Sequence, residues 1–244
     1  MRTLQLVTLA LLGCHVSVWA ANRPDDPIAA ALMTQLTATY PATEFRDIRA
    51  TPMAGIYEVT MGRNVAYVGS EARYFLFGHL YDMQTQRDLT AERLEQDRRI
   101  DFTNLPLADA IQSVRGDGSR RLAVFSDPDC PYCKQLEQTL AKLDNVTIYT
   151  LLYPLDELHP EARAKAIAVW CAQDRAGAWQ ALMLDGKPPR SADCLHPIDR
   201  NIALARKLGV DGTPVLFDIQ GRRLAGAAPA ERIEAFLGAG EERP

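Results

Sequence analysis

The stretch Ser126-Asp127-Pro128-Asp129-Cys130-Pro131-Tyr132-Cys133-Lys134 decides how this chain is read. Two cysteines stand two residues apart, straight after the apolar run Leu122-Ala123-Val124-Phe125. Leu136, Leu140 and Leu143 follow at helical spacing, so the stretch reads as a strand, a turn and a helix opening at Cys130. Pro131 suits the first helical position, where a missing N–H costs nothing. A thiol at a helix N-terminus meets unpaired N–H groups and the positive end of the helix dipole, and both favour thiolate. Cys133 shares the apolar face with Leu136, Leu140 and Leu143. Cys130 is therefore expected to be the exposed nucleophile and Cys133 its sheltered resolving partner. Half of a zinc site and a purely structural disulfide are the alternatives. Zinc needs a second Cys/His pair, and Cys171, Cys194, His159 and His196 show no such spacing. A strand-to-helix junction is a poor place to hide a structural crosslink.

Working outward, the chain has 244 residues, a net charge of −4 and five cysteines. That length fits one or two domains, and the mild negative charge offers no basic surface for nucleic acid. Arg2, the apolar run from Leu4 to Leu12 and the small-residue end Val18-Trp19-Ala20 read as a secretory signal, residues 1–20, cleaved after Ala20. A short amphipathic helix and a lipoprotein signal ending at Cys14 are the alternatives. Removal of residues 1–20 leaves four cysteines, an even count that fits an oxidising compartment.

Asp26 reads as the N-cap and Pro27 as the first residue of a helix over 27–39, with Ile28, Leu32 and Leu36 as its apolar stripe. From Gly55 the period changes to two. Ile56 to Met61, Val65 to Val68 and Tyr74 to Phe77 form an antiparallel meander around a turn at Gly62-Arg63-Asn64. One helix and a few strands hold little core, so the module at 21–82 is expected to pair with its own copy. Residues 83–103 are polar and charged and read as a linker helix, capped by Thr90 and running through Leu94 to about Ile100; a solvated surface helix within one domain is the alternative. Asn104 to Ser113 is amphipathic, and Gly116-Asp117-Gly118 turns into the cysteine strand. Val146 to Leu152 is apolar on both faces, as a central covered strand is. The glycosylation pattern Asn145-Val146-Thr147 is common enough to be coincidence.

Residues 160–208 read as helical. One helix opens at Pro160, carries Ile167, Trp170 and Cys171, and is broken by Lys187-Pro188-Pro189; another runs from Ile198 to Leu208. Cys171 and Cys194 would close a modest loop as a structural disulfide; two free thiols or a second redox pair are the alternatives. In Gly212-Thr213-Pro214, the proline sits at the start of a strand, and a cis Thr213–Pro214 bond would free backbone for an extended substrate. Ile219 to Arg222 is a hairpin turn and Ala230 to Leu237 a terminal helix.

This order of strand, Cys-Pro-Tyr-Cys, helix, strand, helices, Gly-Thr-Pro, hairpin and helix resembles the thioredoxin fold. With Phe77-Gly78-His79-Leu80-Tyr81-Asp82 and Val169-Trp170-Cys171-Ala172, the chain after Ala20 resembles the DsbC/DsbG family of periplasmic disulfide isomerases. The resemblance implies an α+β protein. Residues 21–82 would be a cystatin-like dimerisation domain and 83–103 a linker helix. Residues 104–244 would be a thioredoxin-like catalytic domain with a helical insertion. It implies a periplasmic homodimer that rearranges misoxidised exported proteins and is kept reduced by a membrane reductant of the DsbD type. Gly212, Thr213 and Pro214 would form the cis-proline substrate loop, and no metal or organic cofactor is needed. Pro131-Tyr132 matches the DsbG branch, while Gly-Thr-Pro is closer to DsbC. A reductase of sulfenylated cysteines, a dithiol oxidase and a thiol-independent dimeric chaperone therefore remain as alternatives. The buried carboxylate that thioredoxin carries six residues before its nucleophile is Val124 here, so no base stands ready for Cys133. Asp127 and Asp129 would oppose the Cys130 thiolate unless they serve as solvated turn and capping residues.

Overall fold

The computed structural model describes residues 26–62 and 64–238, and these divide into two compact units meeting between Leu94 and Glu95. The signal at 1–20, Cys14 and Arg63 of the first meander turn lie outside the described residues.

In the N-terminal unit, α1 (Pro27–Thr39) starts where Asp26 accepts hydrogen bonds from the Ile28 and Ala29 amides. Four strands follow: β1 (Phe45–Ala50), β2 (Ile56–Met61), β3 (Asn64–Gly69) and β4 (Phe75–Leu76). They form an antiparallel meander in the order β1-β2-β3-β4. Sequence reading missed β1, because Arg46, Asp47 and Arg49 hide its period; only Ile48 is buried. Leu32 and Leu36 of α1 pack on Val59, Ala66 and Val68. Residues 83–88 are not part of a helix. β5 (Tyr81–Asp82) and β6 (Arg87–Asp88) form a hairpin, and α2 (Leu89–Asp97) follows it. Asp88 accepts from the Ala91 amide, so the cap falls there rather than on Thr90. Thr90 is turned inward, where its hydroxyl bonds the Tyr67 hydroxyl and accepts from the Leu80 amide.

The C-terminal unit is built on a five-stranded sheet in the order β11-β10-β8-β9-β7. Its strands are β7 (Ile111–Arg115), β8 (Arg120–Ser126), β9 (Val146–Leu152), β10 (Val215–Asp218) and β11 (Arg223–Ala225). Only β8 and β9 run parallel, and they lie inside the sheet, which is why both read as apolar runs. Before β7 come two single turns of 3-10 helix, Phe102–Asn104 and Leu107–Asp109, so the amphipathic stretch from Asn104 to Ser113 is divided between a 3-10 turn and the start of β7. Five helices cover the sheet: α3 (Pro131–Leu140), α4 (Ala162–Trp170), α5 (Arg175–Asp185), α6 (Ile198–Lys207) and α7 (Ala230–Gly238). Leu136 and Leu140 of α3 and Ile233 of α7 pack on Leu122, Val124 and Leu216. The helices α4 to α6 bury Ala166, Val169, Trp179, Leu182 and Ile198 against Phe125, Leu151 and Phe217.

The long helix expected from Pro160 is two helices. α4 ends at Cys171, and Asp174 caps α5 by accepting from the Gly177 amide. Cys171 and Cys194 form a disulfide. The turn between β10 and β11 approaches the chain ahead of β7: Gly221 has a φ of +71°, and a Cβ there would lie 1.7 Å from the Ile100 carbonyl oxygen. The Ile100 amide donates to the Gly221 carbonyl at 3.0 Å, a contact that only glycine admits.

Candidate active site

The redox pair stands where the interior strand β8 gives way to α3. Cys130 is the N-cap residue, with extended backbone, and Pro131 is the first helical residue. Both cysteines are free thiols. Cys133 is fully enclosed, as the helical period required, but Cys130 is not an open surface thiol: it is 5% exposed. The lid over it is the loop before β10. Cys130 Sγ lies 3.5 Å from the Thr213 carbonyl oxygen, and the Thr213–Pro214 peptide bond is cis. Tyr132 stands out beside the pair, 63% exposed.

The two thiols differ sharply in acidity. The Cys130 thiol is lowered from 9.0 to about 5, first by the hydrogen bond it receives from the Cys133 thiol, which outweighs the opposing burial. Smaller contributions come from Thr213 and from the backbone amides of Cys133 and Tyr132, the open N-terminus of α3. Cys133 is pushed up, first as the donor of that hydrogen bond and then by its burial. Its sulfur also accepts the Asp127 N–H at 3.4 Å.

Asp127 is fully buried, not a solvated turn residue. Oδ1 accepts from the Asp129 amide at 2.7 Å and the Cys130 amide at 3.1 Å, which pins the turn that presents the dithiol. Oδ2 accepts from the Leu155 amide at 2.7 Å and lies 3.0 Å from His159 Nδ1. Asp129 is paired with Lys165 of α4, Nζ to Oδ1 at 2.7 Å. That contact is the main cause raising the Lys165 ammonium above its ordinary value. Each acid beside Cys130 is thus held by partners of its own, Asp127 by three backbone amides and the His159 ring and Asp129 by the Lys165 ammonium. His159, Lys165 and Leu155 escaped sequence reading because they lie about thirty residues beyond the turn they serve. The Cys-x-x-Cys gave no signal for them.

Val124, where thioredoxin would place its acid, is buried among leucines. A different carboxyl is enclosed nearby. Glu137, one helical turn after Cys133, is 6% exposed, and its Oε1 accepts from Trp179 Nε1 of α5 at 2.8 Å. Burial raises this carboxyl above the ordinary carboxylate range. The signal for it was present in the sequence: position 137 falls on the stripe of Cys133, Leu136 and Leu140, where a charged residue is out of place.

Residues 107–241 match the model of the thioredoxin-like domain, and residues 23–91 match that of the disulfide bond isomerase protein N-terminal domain. Fold and dithiol together define a thiol:disulfide interchange enzyme. The probable thiol:disulfide interchange protein DsbC of Bordetella pertussis is 41% identical over 212 residues, covering 87% of this chain and 75% of that protein. The thiol:disulfide interchange protein DsbC of Escherichia coli K12 is 27% identical over 201 residues, covering 78% of this chain and 80% of that protein. The crystal structure of a disulfide interchange protein from Neisseria gonorrhoeae matches with a TM-score of 0.55 at 39% identity, covering 57% of this chain and all of that one. The chain belongs to the DsbC family of thiol:disulfide interchange proteins, and its activity is that of a disulfide isomerase.

Proposed function

We propose that Cys130 is the attacking thiol and Cys133 the resolving one, in the service of misoxidised exported proteins in the periplasm. The observation that carries this reading is position: Cys130 caps α3 beneath the Thr213 carbonyl, while Cys133 is fully enclosed on the inner face of the helix, an arrangement that lowers the first thiol and raises the second. Cys130 thiolate attacks a client disulfide, forms a mixed disulfide and expels a client thiolate. That thiolate attacks a second client disulfide, and a client thiolate finally displaces Cys130, which leaves reduced. When the client stalls, Cys133 displaces it and the enzyme leaves oxidised. A thiol reductant is then needed, and a membrane protein of the DsbD type fits the role. The carbonyl of Thr213 and the exposed Tyr132 border the reacting sulfur, so Gly212, Thr213 and Pro214 suit an extended client segment. Among the described residues no helix is long and apolar enough to cross a membrane.

Refolding of a scrambled multi-disulfide protein tests the assignment. Cys130→Ser abolishes recovery of the native isomer, and Cys133→Ser accumulates mixed disulfides that gel electrophoresis without reductant reveals. Recovery by Cys130→Ser at the parent rate removes Cys130 from the reaction.

A further inference from the structure

The resolving step needs a place for a proton. Cys133 is fully buried, and burial by itself raises its thiol, so it enters this step protonated even when Cys130 is bonded to a client. Only its thiolate can attack, so the proton must leave inside the protein. The turn before Cys130 and α3 itself each carry a buried carboxyl, Asp127 and Glu137. Asp127 has both oxygens occupied by four nitrogen partners, and these bonds shape the turn; a proton there would displace one of them. The Glu137 carboxyl accepts one hydrogen bond among the described residues, from Trp179. It follows Cys133 by four residues on α3, and residues at that spacing are neighbours, about 5–6 Å apart at Cβ. Side chains on a helix lean toward its N-terminus, which carries the Glu137 carboxyl back toward the turn of Cys133. Trp179 packs in the same buried cluster as Cys133, so the carboxyl it binds is on the side of α3 where the thiol lies. The charged group facing Glu137 from another element is Arg115 of β7, and it moderates the effect of burial without cancelling it.

We propose that Glu137 is the proton acceptor for Cys133, directly or through one water, in the step that resolves the mixed disulfide. The proposal rests on the reading of Cys133 as the resolving thiol. The Cys133 proton passes to the Glu137 carboxylate, giving the carboxylic acid. Cys133 thiolate attacks Cys130 sulfur, the Cys130–client S–S bond breaks, the Cys130–Cys133 bond forms, and the client leaves as thiolate. In the reverse direction, when a reductant thiolate opens the Cys130–Cys133 bond at Cys130, Glu137 returns the proton to Cys133. Burial raises the Glu137 carboxyl, which makes it a stronger proton acceptor than an exposed carboxylate.

Rapid mixing of the reduced protein with one equivalent of a symmetric chromogenic aromatic disulfide tests this. The first aromatic thiolate released reports attack by Cys130, and the second reports resolution by Cys133. Glu137→Gln keeps an oxygen for Trp179 and loses the proton acceptor. It should leave the first phase unchanged and slow the second by about 10²-fold near neutral pH. The deficit should narrow as pH rises, because opening of the site then lets hydroxide replace the missing acceptor. Glu137→Asp should recover part of the lost rate. Trp179→Phe removes the hydrogen bond but not the carboxyl and should retain the second phase. The proposal is overturned if Glu137→Gln resolves at the parent rate at every pH. It is equally overturned if Trp179→Phe reproduces the defect with an unchanged pH profile, which would make the carboxyl a packing partner alone. If Glu137→Gln does not fold, the pH profile of Glu137→Asp decides, and an unshifted profile overturns the proposal. Cys133→Ala must show the first phase only; a second phase there would refute the resolving role of Cys133 rather than the role of Glu137.

Discussion

At the scale of single residues, the site is a contest between burial, which opposes charge, and hydrogen bonding, which favours it. For Cys130 the hydrogen bond from the Cys133 thiol wins, and the thiol comes down from 9.0 to about 5. Because the folded value is depressed, the reduced fold gains stability from this charge in full above 9.0. The gain shrinks as pH falls from there and is gone below about 5. The disulfide form carries no such charge, so the gain belongs to the reduced enzyme. Alkylation of the reduced protein by iodoacetamide should therefore label Cys130 at a rate that is level above about pH 6. Below about pH 5 the rate should fall nearly tenfold per unit. A midpoint near that of an ordinary thiol, or prior labelling of Cys133, contradicts this acidity; peptide mapping after timed quenching measures both.

At the scale of elements, the insertion between β9 and β10 is held together at its weakest joint. α4 and α5 are separate helices, and the chain from α5 to α6 passes through Lys187-Pro188-Pro189 without regular structure. The Cys171–Cys194 disulfide spans 23 residues there. Trp170 Nε1 donates to the Leu195 carbonyl at 3.3 Å across the same gap, and the Arg175 guanidinium stacks 3.8 Å from the Trp170 ring centroid. Closing a loop of this size in the unfolded chain contributes about 3 kcal/mol. Replacing both Cys171 and Cys194 by serine should lower the free energy of unfolding by about that amount, read from the denaturant midpoint, while the Cys130 labelling rate stays unchanged.

At the scale of the molecule, the N-terminal unit is under-provided with core. Its buried set is Leu32, Leu36, Ile48 and a few strand residues, while Tyr74, Leu76, Phe77 and Met83 are each more than 60% exposed. Among the described residues its sheet ends in two edges without a further strand, β1 and β4, and an open edge beside exposed apolar side chains invites a partner. A symmetric dimer through this unit satisfies both needs. Light scattering of the chain from residue 21 onward should give twice the monomer mass at micromolar concentration. The isolated catalytic unit should begin at Glu95, since the Ile100 amide bonds Gly221 and Phe102 is buried in the cluster that holds the two cysteines. That piece should be monomeric, should still reduce small disulfides, and should lose most isomerase activity on scrambled substrates. Full activity in the monomer would show that pairing is dispensable.

What the sequence determined by itself is what short-range chemistry encodes. The helix behind Asp26-Pro27, the strand, turn and helix around Cys130, the strand beginning after Pro214 and the β2–β3 hairpin all rest on signals within a few residues of one another. β1 was illegible because its charges broke the alternation. The split between α4 and α5 was missed because the helical pattern runs on through a break that Asp174 and a disulfide impose. Tertiary structure alone decided the electrostatics of the site. His159 reaches Asp127 across 32 residues, Lys165 reaches Asp129 across 36, and Trp179 reaches Glu137 across 42. No periodicity couples positions so far apart; they meet because β8 and β9 lie side by side in the sheet and α4 and α5 pack back toward the end of β8. The sequence names the thiols and ranks them by their place on the helix, and the packing around them supplies the distant partners that hold the turn.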